Sequence, residues 1–261
     1  VPERTVDLAQ ARGPDGTLLY AIGDVHGRLD LLAAMHHHIA AEIELALFEG
    51  KAADWRIVHL GDYVDRGPDS KGVLDFLVAA QKRDARNVML AGNHDVGFLG
   101  FLEDPARGQL FLNFGGVETA RSYGVELYSA PTLEEDHADL LSAIPDAHMI
   151  FLRALDFSVI FGDFFFCHAG IRPGRPLDRQ RIHDLIWIRD EFLDNDDNYT
   201  KVVVHGHTPA SEAELRRNRI NVDTRAYETG RLTALAVNGA KKRILSATND
   251  GVFQRSAAVT P

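Results

Sequence analysis

The sequence predicts an α/β fold built from two packed mixed β-sheets flanked by helices, with its chemistry on the loops at the strand ends. Three observations predict it. Short apolar runs at residues 18–22, 57–60 and 87–91 each end in a glycine-containing polar turn, and the first two lead into stretches with apolar residues at three- and four-residue spacing. After Pro145 the apolar runs follow one another closely, which reads as a strand-rich second half forming another sheet. The polar turns also share one pattern, an apolar strand followed by Gly and then Asp, Asn or His, or ending directly in His, and strand-end loops are where open α/β folds place reactive groups.

In chain order, residues 1–17 read as an arm laid against the domain, with the turn signal Gly13-Pro14-Asp15-Gly16 near its end. The strand at 18–22 delivers Gly23-Asp24-Val25-His26-Gly27-Arg28. Residues 29–48 then carry Leu31, Leu32, Met35, Ile39, Ile43 and Leu47 on one helical face. Within that helix His36, His37 and His38 are spread over about 200° and cannot all face one ion. The strand at 57–60 delivers Gly61-Asp62-Tyr63-Val64-Asp65-Arg66-Gly67, and a helix follows over 71–82. The third strand leads into Gly92-Asn93-His94-Asp95.

Residues 96–150 read as a mainly helical insertion beside the site, with a helix over 134–144 that Pro145 ends, and as the source of substrate selectivity. Strands are expected at 149–152, 157–161 and 164–167, the last two joined by a hairpin turn at Gly162-Asp163. The run at 164–167 delivers His168-Ala169-Gly170, and the strand at 201–204 delivers His205-Gly206-His207-Thr208-Pro209. A run at 220–223 and closing strands at 232–237 and 243–247 complete the expected sheets.

Composition narrows the classes. A chain of 261 residues with 45% apolar and 25% charged residues suits one globular domain. A formal net charge of -10 argues against duplex nucleic-acid binding through a basic surface, while leaving a phosphate substrate open, because bound divalent ions reverse the local field. One cysteine, Cys167, excludes an intramolecular disulfide and fits a reducing compartment. Residues 1–10 carry no apolar signal region, and no run reaches the roughly 18 to 20 apolar residues of a membrane span. The expected address is the cytoplasm, with no membrane partner.

The strand-end groups Asp24, His26, Asp62, Asn93, His168 and His207 form a carboxylate, imidazole and amide set without thiolate, suited to Mn, Fe or Zn. Six groups are too many for one open catalytic ion. They suit two divalent ions about 3.5 to 4 Å apart that share a carboxylate, for which Asp62 is the candidate. Water between two such ions is acidified toward hydroxide. Arg66 and Arg189 offer planar forks for phosphoryl oxygens, and His94 has the chemistry of a general acid with Asp65 to hold its tautomer. Trp187, two residues before Arg189, is expected to pack in the core. Cys167 reads as a buried apolar residue rather than a nucleophile.

Taken in order, Gly23-Asp24-Val25-His26-Gly27, Gly61 to Gly67, Gly92-Asn93-His94-Asp95, His168-Ala169-Gly170 and Gly206-His207-Thr208 resemble the signature blocks of the phosphoprotein phosphatase family of calcineurin-like metallophosphoesterases. The blocks cover residues 18–235. That family includes bacterial serine/threonine and tyrosine protein phosphatases and is related to diadenosine tetraphosphate hydrolases.

The resemblance implies a calcineurin-like α/β/β/α fold, with Asp24, His26 and Asp62 on a first ion and Asp62, Asn93, His168 and His207 on a second, manganese being the expected metal. It implies that Arg66 and Arg189, with Asn93 and His94 beside them, hold the phosphate, and that His94 acts as acid with Asp65 behind it. Pro209 stands where metallophosphoesterases outside the branch often carry another ligand histidine. Asp95 replaces the Glu usual in eukaryotic protein phosphatases, and Arg225 stands where relatives usually have Gly. Arg225 either reads a second phosphate or acidic flank or makes a surface ion pair. His205, Asp223, Arg225 and Tyr227 are expected around the ions rather than on them.

The leading expectation is a phosphomonoesterase acting on a phosphorylated protein or a small phosphate ester, by in-line attack of hydroxide and without a phosphoenzyme. The alternatives are a hydrolase of dinucleoside polyphosphates or capped RNA ends, and a non-catalytic metal-binding protein, which would need a missing ligand or clamp.

Overall fold

A computed structural model describes residues 5–256. The first three strands, β1 (Thr17–Ile22), β2 (Asp54–His59) and β3 (Asn87–Met89), are parallel neighbours, with Ile22 aligned to His59 and His59 to Met89. Their carboxyl ends therefore open on one edge of the sheet. Helices α1 (Leu29–Phe48) and α2 (Ser70–Arg83) make the return crossings. Asp69 caps α2 by accepting from the Gly72 amide at 2.8 Å.

The chain then enters a helical stretch comprising α3 (Asn93–Glu103), α4 (Gln109–Asn113), α5 (Gly116–Ser122), α6 (Leu133–Ala143) and α7 (Asp146–Arg153). Its aromatic residues stack on Phe111, with Phe98 at 5.0 Å and Phe101 at 4.8 Å between ring centroids. These rings are continuous with the core under α1 and α2. The strand expected at 149–152 is instead part of α7. Pro145 both stops α6 and opens α7, and His148, Phe151 and Leu152 are buried at helical spacing. A four-residue apolar run carries too few repeats for its period to be read.

The second sheet holds β4 (Ser158–Phe161), β5 (Phe164–Cys167), β6 (Val202–His205), β7 (Glu214–Leu215) and β8 (Arg219–Asn221) in the order β4-β5-β6-β8-β7. The turn at Gly162-Asp163 joins β4 and β5, with Phe161 paired to Phe164. Helices α8 (Ile182–Trp187) and α9 (Asp190–Leu193) lie between β5 and β6, and α10 (Ala226–Thr229) follows β8. The chain returns to the first sheet with β9 (Leu232–Asn238), β10 (Lys241–Thr248) and β11 (Gly251–Ser256), giving the order β11-β10-β9-β1-β2-β3. The short β7 and the exposed β11 lay outside the sequence expectation.

Strand alternation makes the layers. On β1, Leu18, Tyr20 and Ile22 face the α1–α2 core, while Leu19 and Ala21 face the second sheet. On β5, Phe164 and Phe166 face the first sheet, while Phe165 and Cys167 pack with Leu185, Ile186 and Phe192 of α8 and α9. The result is helix, sheet, sheet, helix. Between residues 5 and 16 the chain runs along the second sheet, with the Val6 amide donating to Tyr199 at 2.8 Å and that of Leu8 to Arg217 at 2.7 Å. The histidine run splits: His36 stacks on His59 at 5.0 Å, His38 lies 3.3 Å from Glu42, and His37 is exposed. Among the described residues no helix is long and apolar enough to cross a membrane.

Phe111, fully buried at the centre of the aromatic stack, sets the stability of the helical stretch. Phe111→Ala is expected to lower the unfolding free energy by about 3–5 kcal/mol, measured by urea denaturation. A loss under about 1 kcal/mol would mean that the stack collapses without a cavity.

Candidate active site

The loops after β1, β2, β3, β5, β6 and β8 meet at the shared edge of the two sheets and surround a cleft of about 390 Å³. Asp24, His26, Asp62, Arg66, Asn93, His94, Arg189, His207 and Asp223 line it, and His168 lies fully buried behind. Tight loops make this convergence possible. His26, Asp62, Asp65, Arg66 and His207 all have positive φ, between 43° and 70°, a region that costs a non-glycine residue of order 1–3 kcal/mol. Gly61, with φ of 98°, lies so close to Gly92 that any Cβ would meet its backbone, and a Cβ on Gly206 would run into the Asp24 carboxylate.

Backbone carbonyls set two of the imidazoles. His26 Nδ1 donates to the Val64 carbonyl at 2.7 Å and His168 Nδ1 to that of Leu60 at 2.9 Å, so both Nε2 atoms face inward. Both reach toward one atom: Asp62 Oδ2 is 3.5 Å from His26 Nε2 and 3.4 Å from His168 Nε2. Asn93 Oδ1 lies 3.0 Å from His168 Nε2 and 2.9 Å from His207 Nδ1. Asp24 accepts from the His207 amide at 3.1 Å.

Two groupings with ligand atoms within 4.8 Å of one another result, His26–Asp62–His94 and Asp62–His168–His207. Asp62 belongs to both, as a shared carboxylate must. The first grouping contains His94 where the sequence reading has Asp24. His94 Nδ1 is held by Asp65 Oδ2 at 2.7 Å and its Nε2 faces the Arg66 guanidinium at 2.9 Å, whereas among the described residues the buried Asp24 carboxylate meets only the His207 amide, so Asp24 is the better donor to a cation.

The electrostatics ask for positive charge. Burial, then the neighbouring Asp223, pushes the Asp24 carboxyl well up, and burial raises Asp223 as well. Burial would also raise Asp62, but His168, His94 and His26 hold it well below the usual carboxylate range. Burial opposes charge on His168, yet Asp62 and Asp24 raise it to about 10. Inward-facing nitrogens, an amide oxygen between two imidazoles and crowded buried carboxylates fit a pair of divalent cations. Asp24, His26 and Asp62 could hold one, and Asp62, Asn93, His168 and His207 the other.

The remaining residues sort by what they touch. Asp95 accepts from the amides of Asp62 at 2.8 Å, Tyr63 at 2.9 Å and Gly92 at 2.9 Å, and so shapes the Asp62 loop. The Asp65 carboxylate accepts from Thr119 Oγ1 at 2.9 Å, and the Asp65 amide donates to the same oxygen at 2.8 Å. Thr119 was not singled out from the sequence; it lies 54 residues from Asp65 and carries no local signal. Against the effect of burial, Asp62 and Asp65 raise the pKa of His94. The Arg66 amide donates to Gly115 at 3.1 Å, and its guanidinium lies 5.0 Å from the Tyr227 ring centroid. Tyr227 also meets His26 edge-on at 5.3 Å. Arg189 Nε donates to His207 Nε2 at 3.1 Å.

Trp187 departs from expectation. Rather than packing in the core, it stands 38% exposed on the cleft wall, edge-on to His207 at 5.9 Å. The short α8 ends there, and its apolar face is already filled by Leu185 and Ile186. Arg225 lies 3.4 Å from Glu228, in the ion pair that was one of its two readings. His205 is buried edge-on against Phe192 at 5.1 Å and donates or accepts toward no cleft atom. Cys167 is buried, and burial pushes its thiol up.

The family model described as "Calcineurin-like phosphoesterase" matches residues 18–236. A bis(5'-nucleosyl)-tetraphosphatase PrpE [asymmetrical] of Oceanobacillus iheyensis is 27% identical over 231 residues, covering 82% of this chain and 86% of that one. An uncharacterized protein of Schizosaccharomyces pombe, C1840.07c, is 39% identical over 85 residues, which span 30% of this chain and 25% of that protein. Among solved structures, a putative diadenosine tetraphosphatase superposes with a TM-score of 0.56 at 21% identity, covering 92% and 94% of the two chains. A cold-active protein-tyrosine phosphatase of the psychrophile Shewanella sp. does so with 0.54 at 19% identity, covering 96% and 84%.

The shared position of Asp62 yields a direct test. Asp62→Asn is expected to lower bound metal at both positions together, read as metal per chain by mass spectrometry after manganese loading and desalting. Retention of one full equivalent would show that Asp62 serves only one position.

Proposed function

The chain belongs to the calcineurin-like phosphoesterase family, and from that premise we propose that it is a metal-dependent phosphatase that hydrolyses phosphate monoesters, among them phosphorylated proteins. One observation carries the reading: two arginines, the His94–Asp65 pair and the shared Asp62 all open on one cleft. Divalent ions held there, with manganese matching the ligand set, would neutralise phosphoryl charge and acidify water.

The residues supply the rest. Arg66 and Arg189 meet the phosphoryl oxygens as planar forks. Arg66 is aimed by the Gly115 carbonyl and the Tyr227 ring. When phosphate draws Arg66 away, His94 Nε2 is released to carry a proton, while Nδ1 remains on Asp65. The raised pKa keeps that proton available near neutral pH, and Nε2 passes it to the leaving oxygen. Cys167 is buried away from the cleft, and among the described residues no thiol or hydroxyl side chain lines it, which supports direct attack by water without a phosphoenzyme.

A second reading, cleavage of a dinucleoside polyphosphate, is favoured by the similarity to bis(5'-nucleosyl)-tetraphosphatases. It uses the same groups on an anhydride rather than an ester.

The deciding measurement is kcat/KM with manganese on phosphotyrosine peptides, phosphoserine and phosphothreonine peptides, and a dinucleoside tetraphosphate. Monoesters are expected to lead; a tenfold advantage for the tetraphosphate would favour the second reading. No hydrolysis above metal-only controls would overturn both. His94→Asn should retain bound metal and lower kcat by about 10²–10⁴-fold, most for poor leaving groups. An unchanged kcat with an alkyl phosphate would remove His94 from the acid role.

A further inference from the structure

The cleft has an apolar side that the phosphoryl chemistry does not use. Leu110, Phe114, Trp187 and Pro209 complete its wall, whose lining is otherwise charged or polar. Phe114 is 55% exposed and Trp187 38% exposed, so two large aromatic rings stand in water at the mouth of the site. Wet aromatic surface of this size has a clear gain available when a ligand covers it. Other exposed apolar residues, such as Phe48 and Ile150, do not line this cleft.

Each ring also sits within a few residues of a contact made by one of the arginines. Phe114 directly precedes Gly115, whose carbonyl accepts from the Arg66 amide at 3.1 Å. Trp187 sits two residues before Arg189, and both touch the same imidazole: the indole is edge-on to His207 at 5.9 Å, and Arg189 Nε donates to it at 3.1 Å. The two rings come from distant parts of the chain, Phe114 from the end of α4 and Trp187 from the end of α8. Two aromatic rings and two arginines thus line one cavity.

We infer that the cleft selects phosphoryl groups borne by a molecule with a flat aromatic ring, which Phe114 and Trp187 cover on binding. The inference rests on the phosphoryl-binding reading of the preceding subsection and names its substrate class. An aromatic ring offers a face or edge to both residues, and such contacts add to the area they bury. An aliphatic ester such as phosphoserine leaves both rings wet. The shared chemistry has two sources, a tyrosyl phosphate or a nucleobase of a nucleotide.

The chain has two tryptophans, Trp55 and Trp187, so a Trp55→Phe background leaves Trp187 as the sole indole reporter. Two uncleaved probes are titrated against it with manganese present, phenylphosphonate and methylphosphonate, each binding also being measured by calorimetry. Phenylphosphonate is expected to quench Trp187 and to bind roughly three- to tenfold more tightly than methylphosphonate. Phe114→Ala should remove most of that preference and Phe114→Tyr should keep it. Equal affinities, or a preference that survives Phe114→Ala in a chain still folded by circular dichroism, overturns the inference alone. Failure of both probes to bind overturns the phosphoryl-site reading and the inference with it. To separate the sources, kcat/KM of the Phe114→Ala chain is compared on a phosphotyrosine peptide and on diadenosine tetraphosphate. The substrate that loses more supplies the ring, and a loss on neither overturns the inference.

Discussion

The constraint on which this structure depends is the burial of Asp24, Asp62 and Asp223 around one cleft. Like charges brought together away from water are among the costliest arrangements a fold can hold, and they persist only where something positive or hydrogen-bonding meets them. Here the surrounding backbone is bent to that end. Asp95 gathers three amides to shape the Asp62 loop, carbonyls of Leu60 and Val64 fix two imidazoles, and several non-glycine residues hold left-handed conformations. The apolar layers above and below pack densely enough to hold these loops in place.

Much of the site was legible in the sequence because its residues lie directly after apolar runs. A strand carries a short-range signal, and its end states where the next side chains will be. The parallel alignment of Ile22, His59 and Met89 then brings separate strand ends to one edge, which the pattern implied without giving any distance. What escaped depends on long-range packing. Thr119 supports Asp65 across 54 residues, and nothing adjacent to either announces it. Trp187 was placed in the core because a large apolar residue near an arginine more often packs than lines a cleft; only the filled α8 core shows otherwise. The run at 149–152 misled because four apolar residues fit a strand and a helix turn equally well.

The helical stretch between β3 and β4 lies outside the sheets, where connecting segments generally tolerate change. Here it is wired into the chemistry. Gly115 holds the Arg66 backbone, Thr119 holds Asp65, and Asp65 orients His94. A change in this stretch that reshapes the cleft mouth would also move Arg66, Asp65 and His94, so on the proposed reading selectivity and turnover would be joined.

The site takes side chains from both sheets: Asp24, His26, Asp62 and Asn93 follow strands of the first, and His168, His207 and Asp223 follow strands of the second. Between the sheets the contact is largely apolar, from residues such as Leu19, Val58, Phe166 and Val204, with a few polar ties such as the hydrogen bond from His168 to the Leu60 carbonyl. The cluster of candidate ligands therefore spans the seam like a rivet at one edge of the sandwich. Ions held there would join the two layers across that edge, and the candidate site would double as a fastener of the sandwich.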